Sequence, residues 1–292
     1  MKIVLIGKNG QLGWELQRSL PVFGEVFALG RDDLDISVPG TISNHVSVLR
    51  PDLIINAAAY TEVDLAETRV EPAMQINALA PGVLAELSRR IGAAFIHYST
   101  DYVFDGRLGR PYHENDTVNP LNVYGKSKYA GEENIRQAAN AYMIFRTSWV
   151  YSMRGNSFVN KVLGWARKNT TLKIVSDQIS NPTWARTLAD ATSSVLVENR
   201  NALLEKFREK RGIYHVAGSG HASRYEWAKE ILTNDPKRTE QLVQTIEPVS
   251  SDEFPTPATR PFFSALDCSR FETTFHFKLP DWKQSLRDAL QE

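Results

Sequence analysis

Short apolar runs alternate with amphipathic stretches through the first half of the chain. Lys2–Ile6 (KIVLI) is apolar and closed by glycine, and Gln11–Leu20 spaces Leu12, Leu16 and Leu20 at helical intervals, so a strand, a turn and a helix are predicted. The rhythm repeats with strands at Val26–Leu29, Asp52–Asn56, Ala94–Tyr98 and Tyr142–Phe145. Between them fall helices at Thr41–Leu49, Pro72–Ile91 and Lys126–Ala139. Strands of continuous apolar character separated by amphipathic helices specify an α/β fold, a doubly wound parallel sheet covered on both faces.

Beyond Trp149 the alternation loosens, and loops such as Ser176–Thr183 and Asp252–Pro261 interrupt shorter elements. The pattern predicts a nucleotide-binding domain over 1–150, with the helix at 184–200 returning to it. A smaller C-terminal substrate-binding lobe is expected over 151–183 and 201–292.

Composition narrows the function classes. Thirty-four Lys and Arg balance thirty-four Asp and Glu, so no global positive field draws in nucleic acid or an anionic membrane. The first residues are too soon interrupted by polar ones for a secretory segment, no run of apolar residues is long enough to span a bilayer, and the one cysteine, Cys268, suits a reducing compartment. A cytoplasmic protein is expected. The six histidines are scattered without metal-ligand spacing, so no metal site is assigned.

The candidate chemistry begins at the first strand–helix junction. Gly7-Lys-Asn-Gly10-Gln11-Leu12-Gly13 is a GxxGxxG loop entering a helix, where glycines permit close backbone approach and free N–H groups face a dinucleotide's pyrophosphate. After the second strand, Gly30-Arg31 stands where an acidic residue would grip a ribose 2′-hydroxyl. Arg31 suits a 2′-phosphate, so NADPH is expected, with NADH as the alternative. Further on, Tyr124 and Lys128 stand four apart, on one face of a predicted helix, where an ammonium lowers a phenol's pKa toward proton transfer with a ketone. Ser99, Thr100 and Asp101 leave the fourth strand at the carboxyl edge of the sheet, and the Thr100 hydroxyl is placed to bond a carbonyl oxygen beside Tyr124.

GKNGQLGWELQRSL (7–20), INAAAYTEVDLAE (55–67), HYSTDYVFDG (97–106), NVYGKSKYAGE (122–132), FRTSWVY (145–151) and TPATRP (256–261) together resemble the extended short-chain dehydrogenase/reductases over nearly the whole length. Within them the chain resembles the family that reduces dTDP-4-dehydrorhamnose. The resemblance implies a Rossmann-like domain whose C-terminal lobe closes over a dTDP-linked deoxysugar. It makes Tyr124 the acid, Lys128 its pKa-lowering and ribose-binding partner, and Thr100 the hydroxyl partner. It assigns Gly7, Gly10, Gln11, Leu12 and Gly13 to the cofactor phosphates, Asp35 and Ile36 to the adenine side, and Ala57, Ala58, Ala59 and Thr61 to the nicotinamide half. Thr61, Val63, Asp101, Tyr102 and Trp149 would surround the sugar, and Arg260 would meet the diphosphate. A homodimer is a further implication of the family.

The late loop departs from the family pattern, and a candidate cation site is compromised. Phe262-Phe263-Ser264-Ala265 follows Arg260-Pro261 where polar residues and a second arginine are more usual, which bears on substrate affinity and on the nucleotide preferred. Some members also hold magnesium at a dimer contact through a glutamate matching Glu15, but Arg186 is no help to a cation there, and magnesium is left unassigned. Related dehydratases carry Thr-Asp-Glu at the fourth-strand exit; here it reads Thr100-Asp101-Tyr102, which argues for simple reduction, with a separate enzyme supplying the epimerised ketone. The expected reaction is reduction of the C4 keto group to give dTDP-L-rhamnose, feeding polysaccharide assembly. Two other readings stay open: a reductase or epimerase of another nucleotide-linked 4-keto sugar, or a noncatalytic NADP-binding regulatory subunit.

Overall fold

The computed structural model describes all 292 residues and is built around a six-stranded parallel sheet. In chain order its strands are β1 (Lys2–Ile6), β2 (Glu25–Leu29), β3 (Leu53–Asn56), β4 (Ala94–Thr100), β5 (Tyr142–Thr147) and an edge strand, Gly212–His215. Across the sheet they lie in the order edge strand, β5, β4, β3, β1, β2. The chain winds outward from β1 to β2, then crosses back to place β3 on the other side of β1. That reversal opens a crevice at the carboxyl ends of β1 and β3, the place where open α/β sheets bind ligands.

Alternation along β1 explains why both faces are filled. Ile3 and Leu5 point into one apolar core, with Leu12 and Leu16 of helix α1 (Gln11–Ser19) and Leu188, Val195 and Leu196 of the helix Ala185–Asn199. Val4 and Ile6 point into the other, with Ile42 and Val46 of α2 (Pro39–Leu49) and Leu84 and Leu87 of the helix Ala80–Ile91. A third core, containing Tyr151, Trp184, Trp227, Trp282 and Leu286, belongs to the C-terminal half.

Two features differ from the sequence expectation. The edge strand lies within 201–292, and Phe207, Tyr214, Phe271 and Phe275 fill the first sheet core, so more of the C-terminal half returns to the sheet than the 184–200 helix alone. A four-residue strand whose partner is distant in sequence carries too little periodicity to be recognised. The helix expected over Pro72–Ile91 is also interrupted: Val70–Met74 is α-helical, Gln75–Leu79 is a π turn, and Ala80–Ile91 resumes the α-helix. The wider turn brings Asn77 inward, where it accepts from Tyr60 N (2.8 Å) and donates to Tyr60 O and Ser127 Oγ (both 3.0 Å).

The helix Val123–Ala138 is locked to the sheet by a buried ion pair. Glu132, wholly buried, accepts from Arg146 Nε (2.9 Å) and Nη2 (2.6 Å) on β5 and from Ser99 Oγ (2.5 Å) on β4. Removing one member of such a pair strands a charge in the core, so Glu132→Ala is expected to lower stability by about 3–5 kcal/mol. Denaturant unfolding monitored by circular dichroism checks this; a loss below about 1 kcal/mol would show that the Arg146 charge finds another partner.

Candidate active site

The glycine loop packs by backbone alone. Gly7 has a φ of +95°, and a Cβ there would stand 2.7 Å from Ala58 N, so this position joins the ends of β1 and β3 at a distance only glycine allows. Gly13 is as tightly constrained, its Cβ position falling 2.0 Å from Gly7 O. Gly10 is exposed and forms the N-cap of α1 without a side-chain cap, and the N–H groups of Gln11, Leu12 and Gly13 have no backbone acceptor. No acidic residue occupies that first turn. These free donors at the positive end of a helix fit a pyrophosphate. The Leu12 side chain is buried in the core, so its contribution to an anion is its backbone.

At the end of β2, Asp33 accepts from Gly30 N (2.8 Å) and pairs with Lys8 (2.6 Å), which together hold its carboxyl below the usual range. Arg31 is exposed and lies 3.6 Å from Asp35, whose carboxylate accepts from Ser37 N. The rim therefore carries two cations, Lys8 and Arg31, each facing an aspartate, of which sequence reading named only Arg31. Ile36 is buried in the sheet core, leaving its backbone to face any ligand.

Thr100, Tyr124 and Lys128 converge from β4 and the helix Val123–Ala138. Asn122 caps that helix by accepting from Gly125 N (2.8 Å) and donates to Thr259 O (2.8 Å), tying its start to the late loop. A Cβ on Gly125 would fall 2.2 Å from Tyr102 O, so glycine permits the helix to approach the strand exit. Thr100 lies close enough to influence the Tyr124 phenol, and its hydroxyl donates to Asp101 Oδ1 and accepts from Tyr102 N (both 3.2 Å). Burial pushes the Tyr124 pKa up, opposite to the lowering expected from the four-residue spacing with Lys128. The Lys128 ammonium instead donates to Tyr98 O (2.6 Å) and lies 3.2 Å from His97 Nε2, and burial lowers its pKa to about 8. Desolvation outweighs any help from the charge because that charge is itself desolvated. His97, also buried, has its pKa depressed by burial and by Lys128, which keeps it neutral.

Asp101 is buried and binds both lobes together. It accepts from Ser264 Oγ (2.6 Å) and Ser180 Oγ (3.1 Å), and burial raises its pKa to about 6 against the lowering effect of these hydroxyls. Tyr102 packs edge-on against Tyr124, with ring centroids 5.8 Å apart. Ala57, Ala58, Ala59 and Val63 are partly buried near the β3 exit, while Thr61 is exposed. Trp149 stacks on Trp227. Arg260 reaches Asp64 through two hydrogen bonds (2.7 and 3.1 Å) and donates to Ala258 O (3.1 Å), so its charge already has a carboxylate partner. Glu15 is likewise engaged by Arg186 at 3.2 Å.

Sequence reading missed Ser180, Ser264, His97, Glu132 and Arg224. Glu132 was signalled by its place eight residues after Tyr124, on the same helical face, and His97 by its place on β4 three residues before Thr100; Ser180, Ser264 and Arg224 come from segments joined only by tertiary folding.

A parallel sheet with a glycine loop at its reversal point and a Thr/Tyr/Lys set at the neighbouring strand exit defines the Rossmann-like short-chain dehydrogenase/reductase class. The model of the RmlD substrate binding domain family matches residues 1–292, and the chain belongs to that family. Among its relatives is a dTDP-4-dehydrorhamnose reductase of Burkholderia thailandensis, 40% identical with all of both chains covered. Another, from Salmonella typhimurium, is 40% identical over all of this chain and 98% of that protein. The crystal structure of a dTDP-4-dehydrorhamnose reductase from Clostridium acetobutylicum superposes with a TM-score of 0.91 at 35% identity, covering 100% of this chain and 99% of that one. One from Bacillus anthracis in complex with NADP gives 0.89 at 33% identity over 99% and 98%.

The hydroxyls around Asp101 predict its titration. Its carboxyl is expected to titrate near pH 6, and Ser264→Ala, by removing a donor to the ionised form, moves the value upward. Carbon-13 NMR of labelled aspartate checks both; a midpoint near 4 would show that the carboxylate remains solvated.

Proposed function

We propose that the chain catalyses NADPH-dependent reduction of the C4 keto group of dTDP-4-dehydro-6-deoxy-L-mannose, giving dTDP-L-rhamnose. The observation that carries this reading is the convergence of Thr100, Tyr124 and Lys128 beside the sheet's reversal point, in a chain whose relatives bear the name of that activity. The free N–H groups of Gln11, Leu12 and Gly13 would hold the cofactor's pyrophosphate, and Arg31 with Lys8 would meet a 2′-phosphate. When bound, NADPH supplies the hydride.

The protein's part is to position the ketone and deliver a proton. Tyr124 is kept in its neutral phenol form by burial, which is the form a reductase needs. As the carbonyl oxygen becomes an alkoxide, the Tyr124 O–H bond breaks and a sugar O–H bond forms, leaving a tyrosinate. That anion is costly in a buried site, and the Lys128 ammonium one helical turn away offsets the cost. Thr100 holds its proton toward Asp101 and can swing it to the carbonyl oxygen, adding a second donor where negative charge develops. Trp149, Tyr102 and Val63 would enclose the sugar, and Arg260 would border the diphosphate.

NADPH consumption is expected with dTDP-4-keto-6-deoxyglucose only when its 3,5-epimerase is present. Tyr124→Phe should lower turnover at least about a hundredfold by removing the general acid. No oxidation of NADPH with the epimerised ketone, by protein that binds the cofactor, would overturn the substrate assignment.

The pH profile gives a separate check. Lys128 loses its charge as pH rises through about 8, so kcat should fall on that side. Asp101 gains a proton as pH falls through about 6, so kcat/KM should fall on the other. Asp101→Asn is expected to remove the acid limb while leaving the alkaline one. An acid limb that persists in this variant would assign it to another group.

A further inference from the structure

Arg224 begins the helix Arg224–Thr233, directly after the N-cap Ser223, and its guanidinium packs against a group of aromatic rings. The guanidinium carbon stands 3.6 Å from the ring centroid of Trp149, 4.9 Å from Phe158 and 5.5 Å from Trp227. Trp149 adopts a left-handed φ of +41°, a strained conformation for a tryptophan, and stacks on Trp227 at 5.5 Å. Three aromatic rings thus orient this cation and strip water from it without neutralising it.

Its polar surroundings belong to the site already described. The Tyr102 hydroxyl, the Asp101 carboxyl and the Arg260 guanidinium all act on its charge from nearby. Arg224 forms no ion pair, whereas neighbouring Arg260 is matched by Asp64 in a two-point contact. Burial lowers the Arg224 pKa to about 10, so it is still a cation at neutral pH. A partly desolvated, unpaired cation calls for an anion, and the planar fork of arginine matches phosphate oxygens.

We infer that Arg224 is the principal anchor for the diphosphate of the nucleotide-linked sugar, with Arg260 as a secondary neighbour whose charge Asp64 already balances. This deepens the reading given under Proposed function and rests on it, since it takes a nucleotide diphosphate as part of the substrate. Arg224 also links recognition to chemistry. A diphosphate held there lies against Tyr102, whose ring packs on the proposed acid Tyr124.

Calorimetric titration of dTDP, thymidine and NADPH into the full chain and into Arg224→Met tests the inference. The Met variant should lose at least about tenfold in dTDP affinity and flatten its salt dependence, while NADPH affinity is kept. With the full substrate, KM should rise by more than kcat falls. Arg224→Lys, which keeps the charge and loses the fork, should fall between the two. If Arg224→Met does not fold, Arg224→Gln is read in the same way. Unchanged dTDP affinity in the neutral variant overturns the inference, as does a loss for thymidine equal to that for dTDP, which would mean that Arg224 only shapes the aromatic box. Wild-type protein that binds no dTDP overturns the nucleotide reading itself. Wild-type protein that binds and turns over dTDP-sugar beside an unaffected Met variant overturns only the role of Arg224.

Discussion

The site depends on one buried carboxylate. Glu132 draws Ser99 of β4, Arg146 of β5 and its own helix onto a single point, and each link fixes a neighbour of the proposed catalytic set. Thr100 follows Ser99 in the strand. Lys128 and Tyr124 precede Glu132 by one and two turns on the same helical face. The register between strand exit and helix is therefore set by a contact that touches no substrate. A buried ion pair contributes little net stability against an apolar replacement, but it penalises any other register heavily, because a slip would strand both charges.

Around that fixed point the electrostatics are arranged by desolvation more than by attraction. Burial raises Tyr124 and Asp101 and lowers Lys128, His97 and Arg224, so each group is held nearer its neutral form than it would be in water. For a reductase the direction is useful. The acid begins protonated, and the lysine charge, poorly solvated by its surroundings, gains most when an anion forms beside it.

Much of this could be read from the sequence. Strand–helix alternation gave the sheet because five of its six strands are apolar runs flanked by helices of clear periodicity, and the glycine loop was placed by its position at the first junction. Thr100, Tyr124 and Lys128 were visible because the chemistry needs those types near a strand end and on one helical face. Gly212–His215 escaped because its pairing with β5 is a tertiary fact that four residues cannot announce. Ser180, Ser264 and Arg224 escaped for a related reason: each is ordinary in its own segment and acquires meaning only when the C-terminal half folds over β4. The direction of the Tyr124 shift was misjudged because spacing reveals a neighbour's charge but not the loss of water around both groups.

The π turn at Gln75–Leu79 carries an implication for chain length. Such a turn accommodates one residue more than the α-helical ladder needs, and here the surplus is what lets Asn77 reach both Tyr60 and the helix Val123–Ala138 through Ser127. Losing that residue would restore regular helix and improve local hydrogen bonding, yet swing the upstream segment by roughly 100° about the helix axis. A deletion in that stretch would therefore disturb the packing around Tyr60 and Ser127 more than a substitution that keeps its length.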